Sequence, residues 1–311
     1  MKNEYCSLTH SLPSSFEHHP VLLQEVLHLL NIRSSITVVD ATLGLGGHSE
    51  AFLNAIGDTG KLIAFEWDER NRLQAEKRLE KWKKKYIVPK SFSHLEFGCR
   101  EHGISEADAI LFDIGISSAH LDDASRGFSY RNDGPLDMRM DTKQSVTAEL
   151  LLKESSEEEL RMLFRNFGEE PQARRIASAI VEERKKFPLQ TTSELFALLN
   201  KVCPRNSKKV SSRIFQALRI AVNDELGELR RALPQAAELL SLGGRLAVIS
   251  FHSLEDRIVK QFFRGLERSQ SEEKKWRRVN KKVIIPDDEE QKRNPRSRSA
   301  KLRVLERIPL S

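Results

Sequence analysis

A doubly wound α/β sheet carrying a helical insertion is the architecture this 311-residue sequence predicts. Three observations lead there. Apolar, β-branched runs alternate with helical segments as far as residue 113, the pattern of a parallel sheet. A glycine-rich turn links the first run directly to a helix. Between residues 145 and 210 only helical periodicity remains, and a strand returns at Arg245. The expected division is therefore a sheet domain over 1–144, a helical insertion over 145–210, and the rest of the sheet domain over 211–311.

The first unit is the most informative. Ile36 to Val39 reads as a buried strand, Asp40-Ala41-Thr42-Leu43-Gly44-Leu45-Gly46-Gly47-His48 as a turn, and Ser49 to Ile56 as a helix. Glycines allow positive φ in such a turn and let a ligand approach backbone N–H groups. Lys61 to Glu66 is the second strand, and Glu66 follows Gly46 by twenty positions. A carboxylate there can accept hydrogen bonds from ribose hydroxyls. The third position of a dinucleotide fingerprint is Ser49 instead of glycine, and Asp40 precedes the turn. An acid at that place either holds the turn or faces a cationic ligand, and it repels a pyrophosphate. The residues favour S-adenosylmethionine, which carries an ammonium and a sulfonium.

The other elements follow in order. Residues 1–17 read as a polar lead-in, and His18 to Leu30 as an amphipathic helix; His18 and His19 point apart on a helix and have no acidic or thiol company for a metal. Asp68 to Lys85 reads as a solvated charged helix and Tyr86 to Val88 as a third strand, with Phe92 in the loop beyond it. Ala109 to Asp113 is the fourth strand, followed by an aperiodic stretch to Asp141 that reads as a binding loop. Helices are expected over 149–167 and 171–186, with a third capped by Thr192. In the helix from Ser211 to Asn223, the stripe Arg213, Gln216, Arg219 and Asn223 is either solvated or turned to a substrate. A helix over 226–242 stops at Gly243-Gly244, and the fifth strand covers 245–251. Ser253 and Asp256 have capping-box spacing at the start of the next helix. Residues 267–301 are densely basic around Trp276, which suits either a nucleic-acid strand or a solvated loop. Leu302 to Ile308 closes the sheet as an edge strand.

Composition sets outer bounds. Hydrophobic residues make up 39% and charged residues 31%, as in soluble globular chains. No apolar run approaches the roughly 20 residues of a membrane span. The N-terminus lacks the apolar core of a signal peptide, so a cytoplasmic location is expected. Cys6, Cys99 and Cys203 form no CxxC pair, which argues against a disulfide framework or a zinc site. The net charge of +6 fits an acidic partner such as RNA.

Several stretches together resemble one family, the bacterial small-subunit rRNA cytosine-N4-methyltransferases (MraW or RsmH). They include Asp40-Ala-Thr42-x-Gly44-x-Gly46-Gly47-His48-Ser49, Asp113-x-Gly115-x-Ser117-Ser118 and Asp133-Gly134-Pro135-Leu136-Asp137-Met138-Arg139-Met140-Asp141. Further matches are Phe215-Gln216-x-Leu218-Arg219, Ser250-Phe251-His252-Ser253-Leu254-Glu255-Asp256-Arg257 and Asn294-Pro295-Arg296-Ser297-Arg298-Ser299. The resemblance implies a Rossmann-like methyltransferase using S-adenosylmethionine, no metal, and a cytidine of the 16S rRNA decoding region as acceptor. It implies cofactor contacts at Gly46, Gly47, His48, Phe92 and Asp113. Glu66 stands where the family usually has Asp, and His120 where a Gln is common.

Asp113 is the expected catalytic residue; it, or a backbone carbonyl just after it, is expected to hold the cytosine amino hydrogens so that the nitrogen lone pair faces the methyl group. Phe128 or Tyr130 is expected to stack on the extruded base. The small ribosomal subunit is the expected partner, with monomer or homodimer left open. Two other classes accommodate parts of the chain: an NAD-type oxidoreductase, and a non-catalytic RNA-binding assembly factor.

Overall fold

The computed structural model describes residues 20–269 and 274–310. The polar lead-in, Cys6, His18 and His19 lie outside them. Seven strands form one sheet: β1 (Thr37–Asp40), β2 (Lys61–Phe65), β3 (Lys85–Val88), β4 (Ala107–Asp113), β5 (Leu240–Ser250), β6 (Lys275–Arg278) and β7 (Lys301–Ile308). Their order is β3-β2-β1-β4-β5-β7-β6. The first five run parallel, and β7 is antiparallel to both β5 and β6. The chain leaves β1 toward β2 on one side and has β4 on the other, so a crevice opens at the carboxyl ends of β1 and β4.

Both sheet faces are covered, which explains the unbroken apolar runs of the central strands. Val39, Ile63 and Ile110 pack toward the helices Leu95–Glu101, Glu225–Leu239 and Ser253–Arg268. Their neighbours Val38, Leu62 and Leu111 pack toward Leu23–Leu29, Gly47–Ile56 and Glu69–Arg78. The period-two alternation of a strand thus feeds two cores. A separate core joins Phe128, Leu136, Met138 and Met140 to five helices between Ala148 and Asn223. Its packing extends on both sides of the expected 145–210 insertion.

Several local expectations need correction. The edge strand is β6, and β7 lies inside the sheet. Trp276 is buried in the main core, and its basic neighbours Arg277 and Arg278 pair with Glu306 and Glu267. The charged helix ends at Arg78, with Leu79 fully buried. The helix expected over 149–167 is two helices, because Ser156 and Glu159 form a capping box that starts the second at Glu157. The next cap falls on Thr191, one residue earlier than expected. Gly243 and Gly244 do not stop a helix; they lie in β5, opposite an irregular register with β4. Among the described residues no helix is long and apolar enough to cross a membrane.

Candidate functional site

A cavity of about 640 Å³ opens at the carboxyl ends of β1, β2, β4 and β5, within the usual range for small-molecule sites. The glycine turn forms its floor. Asp40 is buried and holds that turn: its carboxylate accepts from the Thr42 N–H at 3.1 Å and from the Ser49 hydroxyl at 2.7 Å. Of the two roles open to Asp40, the structure gives it the first. Burial pushes its pKa up to about 6, against both hydrogen bonds. Thr42 in turn accepts from the Asp113 N–H at 2.6 Å, which ties the turn to the end of β4.

The expected cofactor residues divide. Gly47, His48, Glu66, Phe92, Asp113 and His120 all line the cavity. Gly46 does not: its φ of 81° caps the following helix, and a Cβ there would sit 3.4 Å from Ala75. Gly46 shapes the turn from behind. His48 places Nε2 3.1 Å from the Val21 carbonyl and Nδ1 3.5 Å from an Asp113 oxygen.

Glu66 is buried at the end of β2. Its carboxylate accepts from the Gly44 N–H at 3.0 Å and the Asp68 N–H at 2.8 Å. Burial pushes its pKa up to about 8; the Asp68 charge adds to the rise, and the N–H groups of Asp68 and Gly44 pull against it. Phe92 meets Phe112 edge-on at 5.5 Å. His120 is fixed by Asp68, whose oxygen lies 2.8 Å from Nε2 and 2.6 Å from the Arg126 guanidinium. Burial opposes ionisation of Asp68, yet the bonds from His120 and Arg126 outweigh it and hold the carboxyl well below its usual range.

Asp113 differs from these groups. Its Oδ1 is buried without a hydrogen-bond partner. Burial, followed by the charges of Asp40, Glu255 and Glu290, pushes its pKa up to about 8. It therefore carries a proton at neutral pH until something cationic or hydrogen-donating meets it.

The expected stacking aromatics are not at the cavity. Phe128 is 5% exposed and packs 4.9 Å from the His120 ring. Tyr130 stacks on Phe196 at 5.2 Å and meets Phe215 edge-on. Both serve the helical core, whose apolar demand outweighs any claim from a ligand. Phe65, Trp67, Phe92 and Phe251 do line the cavity. For Trp67 and Phe251, positions just past β2 and β5 were the available signal. Gly115 admits Phe251, since a Cβ there would meet the ring at 3.0 Å.

The polar stripe beyond Ser211 is neither solvated nor free for substrate. Arg213 pairs with Glu170, Gln216 donates to the Phe167 carbonyl, and Arg219 grips both oxygens of Glu225. Asn223 donates to the Met138 carbonyl and accepts from the Met140 N–H, both at 2.8 Å. It thereby sets Met140 against the cavity wall. The capping box after β5 uses His252 and Glu255 in place of Ser253 and Asp256, which bond Glu169 and Arg303. Part of the basic segment also reaches the site, where Arg293, Asn294, Pro295 and Arg296 form one wall.

Comparison with known proteins agrees with this geometry along nearly the whole chain. The sequence model of the MraW methylase family matches residues 15–308. A "Ribosomal RNA small subunit methyltransferase H" of Dictyoglomus thermophilum is 46% identical over 292 residues, 93% of this chain and 96% of its own. The protein of the same name from Fusobacterium nucleatum is 45% identical, covering 94% of this chain and 97% of its own. That of Halothermothrix orenii is 41% identical over 94% and 99%.

Proposed function

The chain belongs to the MraW methylase family, and on that premise we propose that it methylates the exocyclic N4 of a cytidine in the decoding region of 16S rRNA. S-adenosylmethionine, when bound, supplies an electrophilic methyl group on a sulfonium. The residues present fit that group. The glycine turn exposes backbone at Gly44 and Gly47, Glu66 offers carboxylate oxygens toward ribose hydroxyls, and Trp67 and Phe92 offer apolar rings. The orphaned Oδ1 of Asp113 is the observation that carries the reading. It is an acceptor without a partner, at the strand end where a cationic ligand and an amino group converge.

The chain's own groups then have defined tasks. His48 steadies the second Asp113 oxygen. Asp113 accepts an amino hydrogen of the cytosine through Oδ1. That hydrogen bond draws the nitrogen lone pair out of conjugation with the ring and aims it across the cavity. The surrounding walls, Met140 and Phe251 among them, exclude water. Positioning two bound reactants accounts for most of the rate. After transfer, the excess proton on N4 passes to Asp113, whose high proton affinity suits it as acceptor.

We place the inserted helical unit at 145–210, supported on its flanks by the 128–140 loop and the helix to Asn223. The small ribosomal subunit in the cytoplasm is the proposed setting. The test is radiolabel transfer from S-adenosylmethionine to small subunits that lack the modification, followed by nucleoside analysis. Label in N4-methylcytidine is the expected result. Tight cofactor binding with no transfer to subunits or to free 16S rRNA would refute the acceptor.

A further inference from the structure

One cluster beside the cavity has no task in the reaction described above. Behind Phe251, Nε2 of His252 and Oε1 of Glu255 are buried and make no hydrogen bond, although they lie 3.1 Å apart. Glu225, which lines the cavity, belongs to the same cluster, one polar side-chain atom of each of the three residues lying within 4.8 Å of the others. The other atoms of the cluster are committed. Glu255 Oε2 accepts from the N–H groups of Phe251 and His252 at 2.8 and 3.2 Å. Arg219 holds Glu225 with two bonds of 2.7 and 2.8 Å. Leaving a buried polar atom unpaired costs about 1–3 kcal/mol. Two such atoms side by side point to a partner that arrives from outside.

The chemistry of that partner follows from the ring. His252 Nδ1 accepts from the Glu255 N–H at 3.4 Å, which puts the imidazole proton on Nε2. The cluster therefore presents an N–H donor next to a carboxylate acceptor. Cytosine presents the complement along its pairing edge: N3 accepts, and the adjacent N4 donates. Uracil presents the reverse, a donor at N3 and an acceptor at O4. Phe251 adds an aromatic face beside this edge. The Glu255 charge also acts on Asp113. A divalent cation is the rival occupant, but the Arg219 guanidinium already neutralises Glu225.

We propose that Glu225 on the cavity wall, with His252 and Glu255 buried next to it, reads the target base, binding the N3–N4 edge of cytosine with Phe251 against its ring and rejecting uracil. This rests on the cytidine-methylation reading. The test uses the full chain with His252→Asn and Glu255→Gln, because Asn caps helices well and Gln serves in a capping box. For each variant the S-adenosylmethionine Kd, the Tm and kcat/KM on unmodified small subunits are measured. Subunits carrying uridine at the target position are also added as competitors.

The Kd should stay within about twofold while kcat/KM falls by about 100-fold or more, as for a site built to hydrogen-bond its substrate. Because uracil has no amino group to methylate, the uridine subunits are used as competitors, and they should inhibit Glu255→Gln no less than the wild-type protein, whose cluster rejects them. Wild-type kcat/KM in both variants would overturn the proposal, as would loss of cofactor affinity in step with activity. So would a rise in Tm with Mn²⁺ or Zn²⁺ that Glu255→Gln abolishes, which would assign the cluster to a cation. Failure of the wild-type protein to label cytidine N4 would instead overturn the function reading itself.

Discussion

Glu66 and Asp113 end neighbouring parts of the same crevice, both facing the cavity, and burial leads the rise of each pKa to about 8. They differ in what surrounds them. Glu66 has a backbone N–H on each oxygen, whereas Asp113 keeps Oδ1 without a partner. The same contrast holds for the two sides of the cavity. On the β1–β2 side Asp40, Glu66 and Asp68 are all engaged with the chain itself. On the β4–β5 side Asp113, His252 and Glu255 each retain an unpaired buried atom. A saturated polar network fixes shape, and an unsaturated one keeps bonding capacity for what enters. On the function proposed above, the first side is a preformed seat, and the second meets the reacting groups.

The largest effect that would break this contrast concerns Asp113→Asn. Methyl transfer should fall by about 1,000-fold or more, the scale of removing a preorganised electrostatic group, while the fold survives. Stability should change in the opposite sense. The folded pKa of Asp113 is raised, so the native state binds the proton more tightly than the unfolded chain does. Stability is therefore lost as pH rises from about 4 through about 8, and the variant should escape that loss. Denaturant titrations at pH 5 and pH 8 should show the variant's advantage over the wild type growing by about 4 kcal/mol between the two, about 1.4 kcal/mol for each unit of pH.

Arg219→Ala removes the partner of buried Glu225 on the helical unit, and should cost about 3 kcal/mol in unfolding experiments. Glu66→Gln places an amide N–H₂ against a backbone N–H. It should lose about 1–2 kcal/mol of stability and weaken cofactor binding, with kcat little changed if that side is only a seat. A large fall in kcat with intact affinity would erase the contrast. The smallest effect belongs to Tyr130→Phe. The Tyr130 ring packs on Phe196 and its hydroxyl reaches the Lys208 carbonyl and Ser212. Turnover should stay within about twofold, and stability within about 1 kcal/mol, the net worth of an ordinary hydrogen bond.

The sequence made the seat legible more fully than the chemistry. Local spacing encodes a strand, a glycine turn and an acid at the next strand's end, so the turn and Glu66 were accessible to it, and the family resemblance added Gly47 and His48. Phe92 and Asp113 sat at strand ends, where parallel sheets bind ligands. Other features depend on contacts between distant residues. Whether Phe128 and Tyr130 face a base or a core is decided by Phe196 and Phe215, dozens of positions away. Arg219 looks like part of a surface stripe until Glu225 folds back onto it. Trp276 reads as a nucleic-acid contact among cations, yet Glu306 and Glu267 neutralise its neighbours and the ring enters the core. The β6–β7 pairing that moves the edge of the sheet is likewise non-local.

The most direct test of the central claim is the proton balance of cofactor binding. Calorimetric titration of S-adenosylmethionine at pH 7, in buffers of different ionisation enthalpy, gives the number of protons released. With its pKa at about 8, Asp113 starts mostly protonated, and a cationic ligand beside it should displace that proton. The prediction is that wild-type protein releases more protons than Asp113→Asn, the difference approaching one per site, since any release from Glu66 is common to both proteins. Equal proton release by the two proteins would contradict the assignment of Asp113 as the unpaired acid that meets the ligand.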